Sequence, residues 1–287
     1  MKTYLNLDIP FTKFLAPAKL NLFLKIINKR ADGYHNLQSV FQFISLYDEI
    51  YIRIRDDNKI NVKNSNPLIS EENDIVFKAC NLLLDQSTIG VDVKIKKNIP
   101  VGAGLGGGSS DAATALMAIN KICRLGLSKK KLMQLGAELG ADVPFFIFGE
   151  NAWAEGIGDE LHSISIPESD YLVAVPDIVI STSAIFTSFK LTKNVNPLKI
   201  ATSFDSKKHE SIENDLEKLV IKKFLGMSSL MDWMKSFGYA KMTGTGSSIF
   251  LRPKNNNQFH KIKQLKPDNI EIYAVKGLSV HPFYLTD

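Results

Sequence analysis

The sequence predicts an α+β fold of two domains, and three observations carry that prediction. Runs with period-two alternation recur in the first half at 19–27, 50–54 and 91–97, each the pattern of a half-buried strand. Apolar residues between them fall at helical spacing, as in Ile75, Val76, Ala79, Leu82 and Leu83. A fresh start then comes at Tyr171-Leu172-Val173-Ala174-Val175-Pro176, a compact apolar strand closed by proline. This places a boundary near residue 165 and divides the chain into 1–165 and 166–287, with no linker of distinctive composition and no internal repeat. At 287 residues the chain can build one large or two ordinary cores.

In chain order, Leu20, Leu22, Leu24 and Ile26 alternate with Lys19, Asn21, Phe23 and Lys25. Period two sets Lys19 and Asn21 about 7 Å apart on one face of the strand. The turn over 28–33 ends in Asp32-Gly33 and delivers Tyr34 and His35. Ile50, Ile52 and Ile54 mark the next strand. The polar stretch 56–70 reads as a loop or short hairpin, and Glu71-Glu72-Asn73-Asp74 offers caps to the helix that follows. The 91–97 strand runs into glycines, with Ala112, Ala115, Leu116, Ile119 and Cys123 at helical spacing beyond them. Ser128 caps a helix over 129–139 that stops at Gly140, and short strands with a turn fill 153–166. After the 171–176 strand come helical stretches near 212–224 and 228–237 and a strand at 240–242. A second glycine turn at 243–248, a strand at 249–252, a polar helix near 256–264 and a strand at 270–275 complete an α/β sandwich.

Composition is that of a soluble globular protein, 45% hydrophobic and 23% charged. The net charge of +5 is mild and spread, with short runs at Lys129–Lys131 and Lys207–Lys208. Such runs read as solvated faces, so no nucleic-acid partner is expected, while a diffuse positive field suits an anionic substrate. Cys80 and Cys123 lie in apolar helical patterns, where core packing is the default and neither a disulfide framework nor a zinc site is indicated. Met1–Pro10 lacks a charged segment followed by an apolar one, and no apolar run approaches a bilayer span. A cytoplasmic protein without signal peptide or membrane partner is expected, as a monomer or weak homodimer.

The stretch Pro100-Val101-Gly102-Ala103-Gly104-Leu105-Gly106-Gly107-Gly108-Ser109-Ser110-Asp111 joins a strand to a helix. Its glycines let backbone N–H groups converge on one point, and the helix N-terminus adds unpaired donors, which together make a phosphate cradle. Gly102, Gly104 and Gly107 match G-x-G-x-x-G, but a dinucleotide fingerprint belongs to the first βα unit, with an acidic residue about twenty positions on. No Asp or Glu stands between Asp111 and Glu138. A Walker loop would end in Gly-Lys-Ser/Thr, and Gly108-Ser109-Ser110 has no lysine. A plain glycine-rich turn is the remaining alternative; phosphate binding without a P-loop is favoured.

Three segments resemble the GHMP kinase superfamily: Ala16–Leu22, Pro100 through Ala113, and Lys241–Ser248, which together span nearly the whole chain. Within it the likeness is greatest to the branch acting on 4-diphosphocytidyl-2-C-methyl-D-erythritol. Lys19–Leu24, Arg30–Gln38, the extended Gly-Leu-Gly-Gly-Gly-Ser-Ser loop and Gly140–Phe146 carry that likeness. The resemblance implies ATP-dependent phosphorylation, with Mg²⁺, of the substrate 2-hydroxyl in non-mevalonate isoprenoid precursor biosynthesis. It also implies an N-terminal domain like domain two of ribosomal protein S5 and a ferredoxin-like C-terminal domain, with substrate in the cleft between them.

Residue by residue, the resemblance gives Asp142 the task of accepting or orienting the hydroxyl proton; capping the helix at Val143-Pro144 is the alternative use of the same carboxylate. Lys19 would neutralise charge on the transferred phosphoryl group, or is an ordinary strand lysine, a reading that Asn21 on the same face weakens. Tyr34 and His35 would hold the cytosine, faced by Phe186 unless that ring is core. Pro100, Gly102, Gly104, Leu105, Gly106, Gly107, Gly108, Ser109 and Ser110 would wrap the ATP phosphates, with a serine hydroxyl near Mg²⁺. Asn73 and Lys97 match positions near the adenosine; a helix cap and a solvated lysine are their plainer readings. Thr182, Thr243 and Gly244 would lie on the substrate side, with Thr245 and Gly246 closing the cleft, against a simple hairpin turn. Asp111 is too close to phosphates to face them and is expected to cap the helix or point away. Two other functions stay open. One is another GHMP small-molecule kinase, of homoserine or mevalonate type, against which Tyr34, His35 and the triple glycine argue. The other is a non-catalytic nucleotide or RNA binder, which has no need of Lys19 together with Asp142.

Overall fold

A computed structural model of the chain describes residues 10–66, 69–70, 73–85, 87–191, 195–204 and 211–285. The caps read at Glu71 and Glu72, the run Lys207–Lys208 and all of Met1–Pro10 but its last residue lie outside them. Strands β1 (Thr12–Lys29) and β2 (His35–Arg55) form a long antiparallel hairpin whose turn holds Gly33 at φ +89°. The register jumps from Pro17↔Tyr47 to Ala18↔Ile44 and again from Asn21↔Phe41 to Leu24↔Ser39. Irregularities of this kind bend a hairpin and re-aim its side chains, and here they bracket Lys19 and Asn21.

The polar stretch expected to be a loop or hairpin contains a strand, β3 (Ile60–Asn64), parallel to β4 (Gly90–Lys96). Val62, buried between polar neighbours, is its anchor in the core. A parallel pair needs a crossover, and α1 (Ile75–Leu84) supplies it. Asp74 caps that helix by accepting the amide of Val76 at 2.8 Å. β4 pairs with β2, and the chain then turns through the glycines into α2 (Gly107–Ile122), α3 (Lys129–Leu139) and α4 (Val143–Phe148). Ser128 caps α3 through the Lys131 amide at 3.2 Å, as its sequence signal indicates. Short strands β5 (Ala152–Glu155) and β6 (Glu160–Ser163) return to the free side of β2.

A second group of strands follows. β7 (Asp170–Pro176), β8 (Ala240–Met242), β9 (Ile249–Leu251) and β10 (Ile270–Leu278) pair antiparallel in the order β10-β7-β9-β8. α5 (Thr182–Ser188), α6 (Glu217–Lys223), α7 (Leu225–Lys235) and α8 (Asn256–Gln264) belong to this half. Its core joins Met227, Leu230, Met231 and Met234 of α7 to Leu172, Ala174, Met242 and Ile249 of the strands. β10 outruns its expected end: Gly277 and Leu278 pair with Ile44 and Phe43 of β2, so one strand order, β3-β4-β2-β10-β7-β9-β8, runs through both halves.

Beyond β10, a 3₁₀ turn at Pro282–Leu285 packs on the first half. His281 is fully buried there, with Phe43 edge-on at 5.6 Å and its own amide donating to Gly149 O at 2.8 Å. Burial pushes its pKa down to about 3, so the ring is neutral. The aromatic run of α4 is equally buried, with Phe145 stacked on Phe43 at 4.4 Å. Burying each such ring contributes roughly 1.5–3 kcal/mol. Cys80 and Cys123 are free thiols, and burial raises the pKa of both.

Candidate active site

A cavity of about 720 Å³ opens between the two groups of strands. Its walls include Lys19 and Asn21 of β1, the glycine loop, Asp142 before α4, Thr182 and Phe186 of α5, and Gly244 and Thr245 of the second glycine turn.

The loop follows from backbone geometry. Gly106, at φ +75°, takes the N-cap position of α2, and Gly107 and Gly108 already belong to the helix. Side-chain caps are absent at this end, so the first amides of α2 remain available to an anion. Gly104, at φ +76°, passes so close to the second turn that a Cβ there would lie 2.6 Å from Thr243 O and 2.8 Å from Gly246 O. The Ser248 amide donates to Ala103 O at 3.1 Å, and buried Asn214 holds the same turn by donating to Met242 O and Gly244 O at 3.0 and 2.7 Å. The two glycine turns thus form one unit across the cleft.

Lys19 is fixed next to them by its own amide, which donates to Leu105 O at 2.9 Å. Its ammonium donates to Asn21 Oδ1 at 2.5 Å and stands 3.4 Å from Asp142 Oδ2. The Asn21 amide donates to Thr243 Oγ1 at 2.9 Å, and Asn21 Nδ2 donates to Ser39 Oγ at 2.9 Å, so the face shared by Lys19 and Asn21 is locked. Asp142 occupies the N-cap position of α4 without making a side-chain cap hydrogen bond. With its side chain 35% exposed against 5% for Lys19, it is the accessible member of the pair. A recessed cation beside an open carboxylate can orient a hydroxyl and neutralise an incoming oxyanion.

At the far end of the loop stands a buried ionic cluster. Lys97 donates to Asp48 Oδ2 and, at 2.6 Å, to Asp111 Oδ2. Asp111 therefore does not cap α2; its carboxylate is buried against a lysine, and Lys97 is locked between carboxylates rather than solvated. Burial, then Lys97 and Asp48 acting in opposite senses, leaves the Asp111 carboxyl well above the usual carboxylate range. Burial lowers Lys97, but the attraction of Asp111 and Asp48 is greater and its net shift is upward. Two carboxyls thus share one ammonium in a dry site. Beside the cluster, Asn73 Nδ2 donates to Ser70 Oγ at 2.9 Å; the helix cap is Asp74, not Asn73.

Of the expected phosphate ligands, Pro100, Gly102, Gly104, Leu105, Gly106, Gly107, Gly108 and Ser109 line the cavity together with Asn73 and Lys97. Ser110 does not; it is fully buried, with no hydrogen-bond partner for its hydroxyl. On the other side, Thr182 Oγ1 meets Thr245 Oγ1 at 3.0 Å, whereas Thr243 is buried behind Asn21. Phe186 lines the cavity and lies 5.8 Å from the His35 ring, whose two nitrogens are buried without partners. Burial and then Lys29 lower the His35 pKa. Tyr34 is 60% exposed and is not part of the wall. Leu24, Leu37 and Ile157 form an apolar lining that single-strand periodicity did not assign to a site, because their convergence depends on β1, β2 and the turn after β5.

Residues 74–150 match the family model described as the GHMP kinases N terminal domain. The chain is 41% identical over 272 residues to a 4-diphosphocytidyl-2-C-methyl-D-erythritol kinase of Herminiimonas arsenicoxydans, an alignment covering 93% of this chain and 95% of that protein. It is 40% identical to the protein of that name from Thiobacillus denitrificans, across 94% of this chain and 97% of the relative. Among solved structures, it resembles a 4-(cytidine 5'-diphospho)-2C-methyl-D-erythritol kinase with a TM-score of 0.80 and 26% identity, over 93% of this chain and 99% of the other. A mevalonate kinase structure, at TM-score 0.66 and 15% identity over 93% of this chain and 99% of its own, shares the fold.

Proposed function

Because the chain belongs to the 4-diphosphocytidyl-2-C-methyl-D-erythritol kinase family of the GHMP kinases, we propose that it transfers the γ-phosphoryl group of ATP to the 2-hydroxyl of that cytidyl diphosphate alcohol. The fold is the GHMP kinase fold, and the protein is an ATP-dependent small-molecule kinase of isoprenoid precursor biosynthesis. The observation that carries the assignment of roles is the Lys19–Asp142 pair, 3.4 Å apart and within one cavity with the glycine loop.

In this reading the amides of residues 104–109 hold the triphosphate, and Asp142 accepts or orients the hydroxyl proton. Lys19 draws in the transferred group. A loose phosphoryl-transfer transition state asks little early deprotonation, so alignment and charge neutralisation outweigh base strength. Asn21, backed by Thr243, sets the Lys19 ammonium, and Thr182, Gly244 and Thr245 close the substrate side. His35 and Phe186, together with Tyr34, hold the cytosine. Asn73 and Lys97 bound the adenosine side.

Mg²⁺ binds oxygen, keeps several waters and is shared with substrate phosphates. The cavity wall offers Ser109 and the Asp142 carboxylate, a donor set that fits a cation carried in on the nucleotide. It would neutralise phosphate charge there, held by Ser109 and Asp142. No described group of three or more His, Cys, Asp or Glu residues could hold a metal by itself.

The two halves, 1–165 and 166–287, correspond to an S5-like and a ferredoxin-like domain. The protein acts in the cytoplasm as a monomer or weak homodimer; no helix among the described residues is long and apolar enough to cross a membrane. The deciding experiment measures ADP release with the cytidyl diphosphate alcohol, homoserine and mevalonate in parallel. Turnover restricted to the first is expected, and absence of turnover with it refutes the assignment.

A further inference from the structure

Asp48 is fully buried on β2, opposite Ala16 on the strand that carries Lys19, and has no role in the reaction as described. Its Oδ1 accepts the amides of Asn98 at 2.6 Å and Ile99 at 2.8 Å, the two residues that lead into the glycine loop. Its Oδ2 accepts the Lys97 ammonium, which also reaches Asp111 near the start of α2. At the same end of the loop, a Cβ on Gly107 would lie 3.4 Å from Asp48 Oδ2. One carboxylate therefore grips the beginning of the loop directly and its end through a single lysine.

A buried ionic cluster is a poor source of net stability, because desolvation cancels much of its attraction. Its geometric effect is larger. Charge-assisted bonds to two successive amides fix the chain direction at Ile99. Clasping both ends of a glycine-rich segment removes conformational freedom that nucleotide binding would otherwise have to remove.

We propose that Asp48 is the positioning residue of the ATP loop, clasping residues 97–99 and, through Lys97, Asp111 of α2 to the strand pair that bears Lys19, so that the loop amides are aligned before nucleotide arrives. The proposal rests on the assignment of that loop to ATP.

Asp48→Asn retains the shape and removes the charge. With folding checked by circular dichroism, KM for ATP should rise at least tenfold and kcat should fall, while the calorimetric Kd of the cytidyl substrate stays within twofold. Where Asp48→Asn gives no folded protein, Asp48→Ser is measured in the same way. In the unmodified chain the amides of Asn98 and Ile99, which lie outside helices and strands, should exchange slowly with deuterium. An unchanged KM for ATP in a folded variant, equal losses for both substrates, or rapid exchange at 98–99 in the unmodified chain each overturns the proposal. Failure of the unmodified chain to phosphorylate any alcohol would instead refute the assigned function and leave the exchange measurement to judge the clasp.

Discussion

Replacing Gly104 by alanine tests whether the two glycine turns work as one unit. The added methyl would sit 2.6 Å from Thr243 O and 2.8 Å from Gly246 O, where ordinary contact begins near 3.4 Å. The second turn must therefore retreat by roughly 0.8 Å, since closely packed backbone has no free volume to yield. The residue also stands at φ +76°, which costs a side-chain-bearing residue ~1–2 kcal/mol. Asn21 donates its amide to Thr243, so the retreat pulls on the strand that holds Lys19. Misplacement on the order of 1 Å at catalytic groups lowers rate on the order of a hundredfold. Gly104→Ala should thus lose about that factor in kcat/KM for both substrates, with a lower Tm but an unchanged circular dichroism spectrum. Coupled ADP-release kinetics and a thermal melt measure both. Activity within threefold of the unmodified enzyme would show that the two turns move independently and refute the reasoning.

Asp142→Ala should abolish turnover, with ATP affinity by calorimetry nearly intact; turnover surviving within about tenfold would remove Asp142 from the chemistry. Phe186→Ala should raise KM for the cytidyl substrate far more than KM for ATP, and parallel changes in both would place the ring in packing alone. His281 gives a pH signature. Its folded pKa lies near 3 against an ordinary 6.5, so between those values the unfolded chain binds a proton that the folded chain refuses. Its contribution is constant above that window, and stability falls as pH drops through it, by at most ~1.4 kcal/mol per unit. Urea melts from pH 7 to 4 should show this slope and His281→Gln should flatten it; an identical slope in the variant would assign the effect elsewhere.

Much of the fold was legible because its signals are local. Ser128 and Gly140 bracket α3 at the expected residues, and the alternation around Lys19 and Asn21 put both on one face, where the structure ties them together. Of the two uses read for the Asp142 carboxylate, the observed side chain removes the helix cap: it makes no cap bond and meets Lys19. β3 was hidden by polar neighbours, and α5 is too short to display a period. Asp48 carries no signal at all in the apolar run around it, since its partners lie about fifty positions away and are brought near by β4. The same non-locality joined Lys97, read near the adenosine or as a solvated lysine, and Asp111, read as capping the helix or pointing away, into one buried group.

β10 serves as a splice, hydrogen-bonded to β7 along most of its length and to β2 at its tip. Swinging the two lobes apart would have to break that ladder. The turns at the mouth of the cleft are tied down as well, residues 98–99 to Asp48 and residues 242–244 to Asn214, so ligands meet a cleft whose shape is already set.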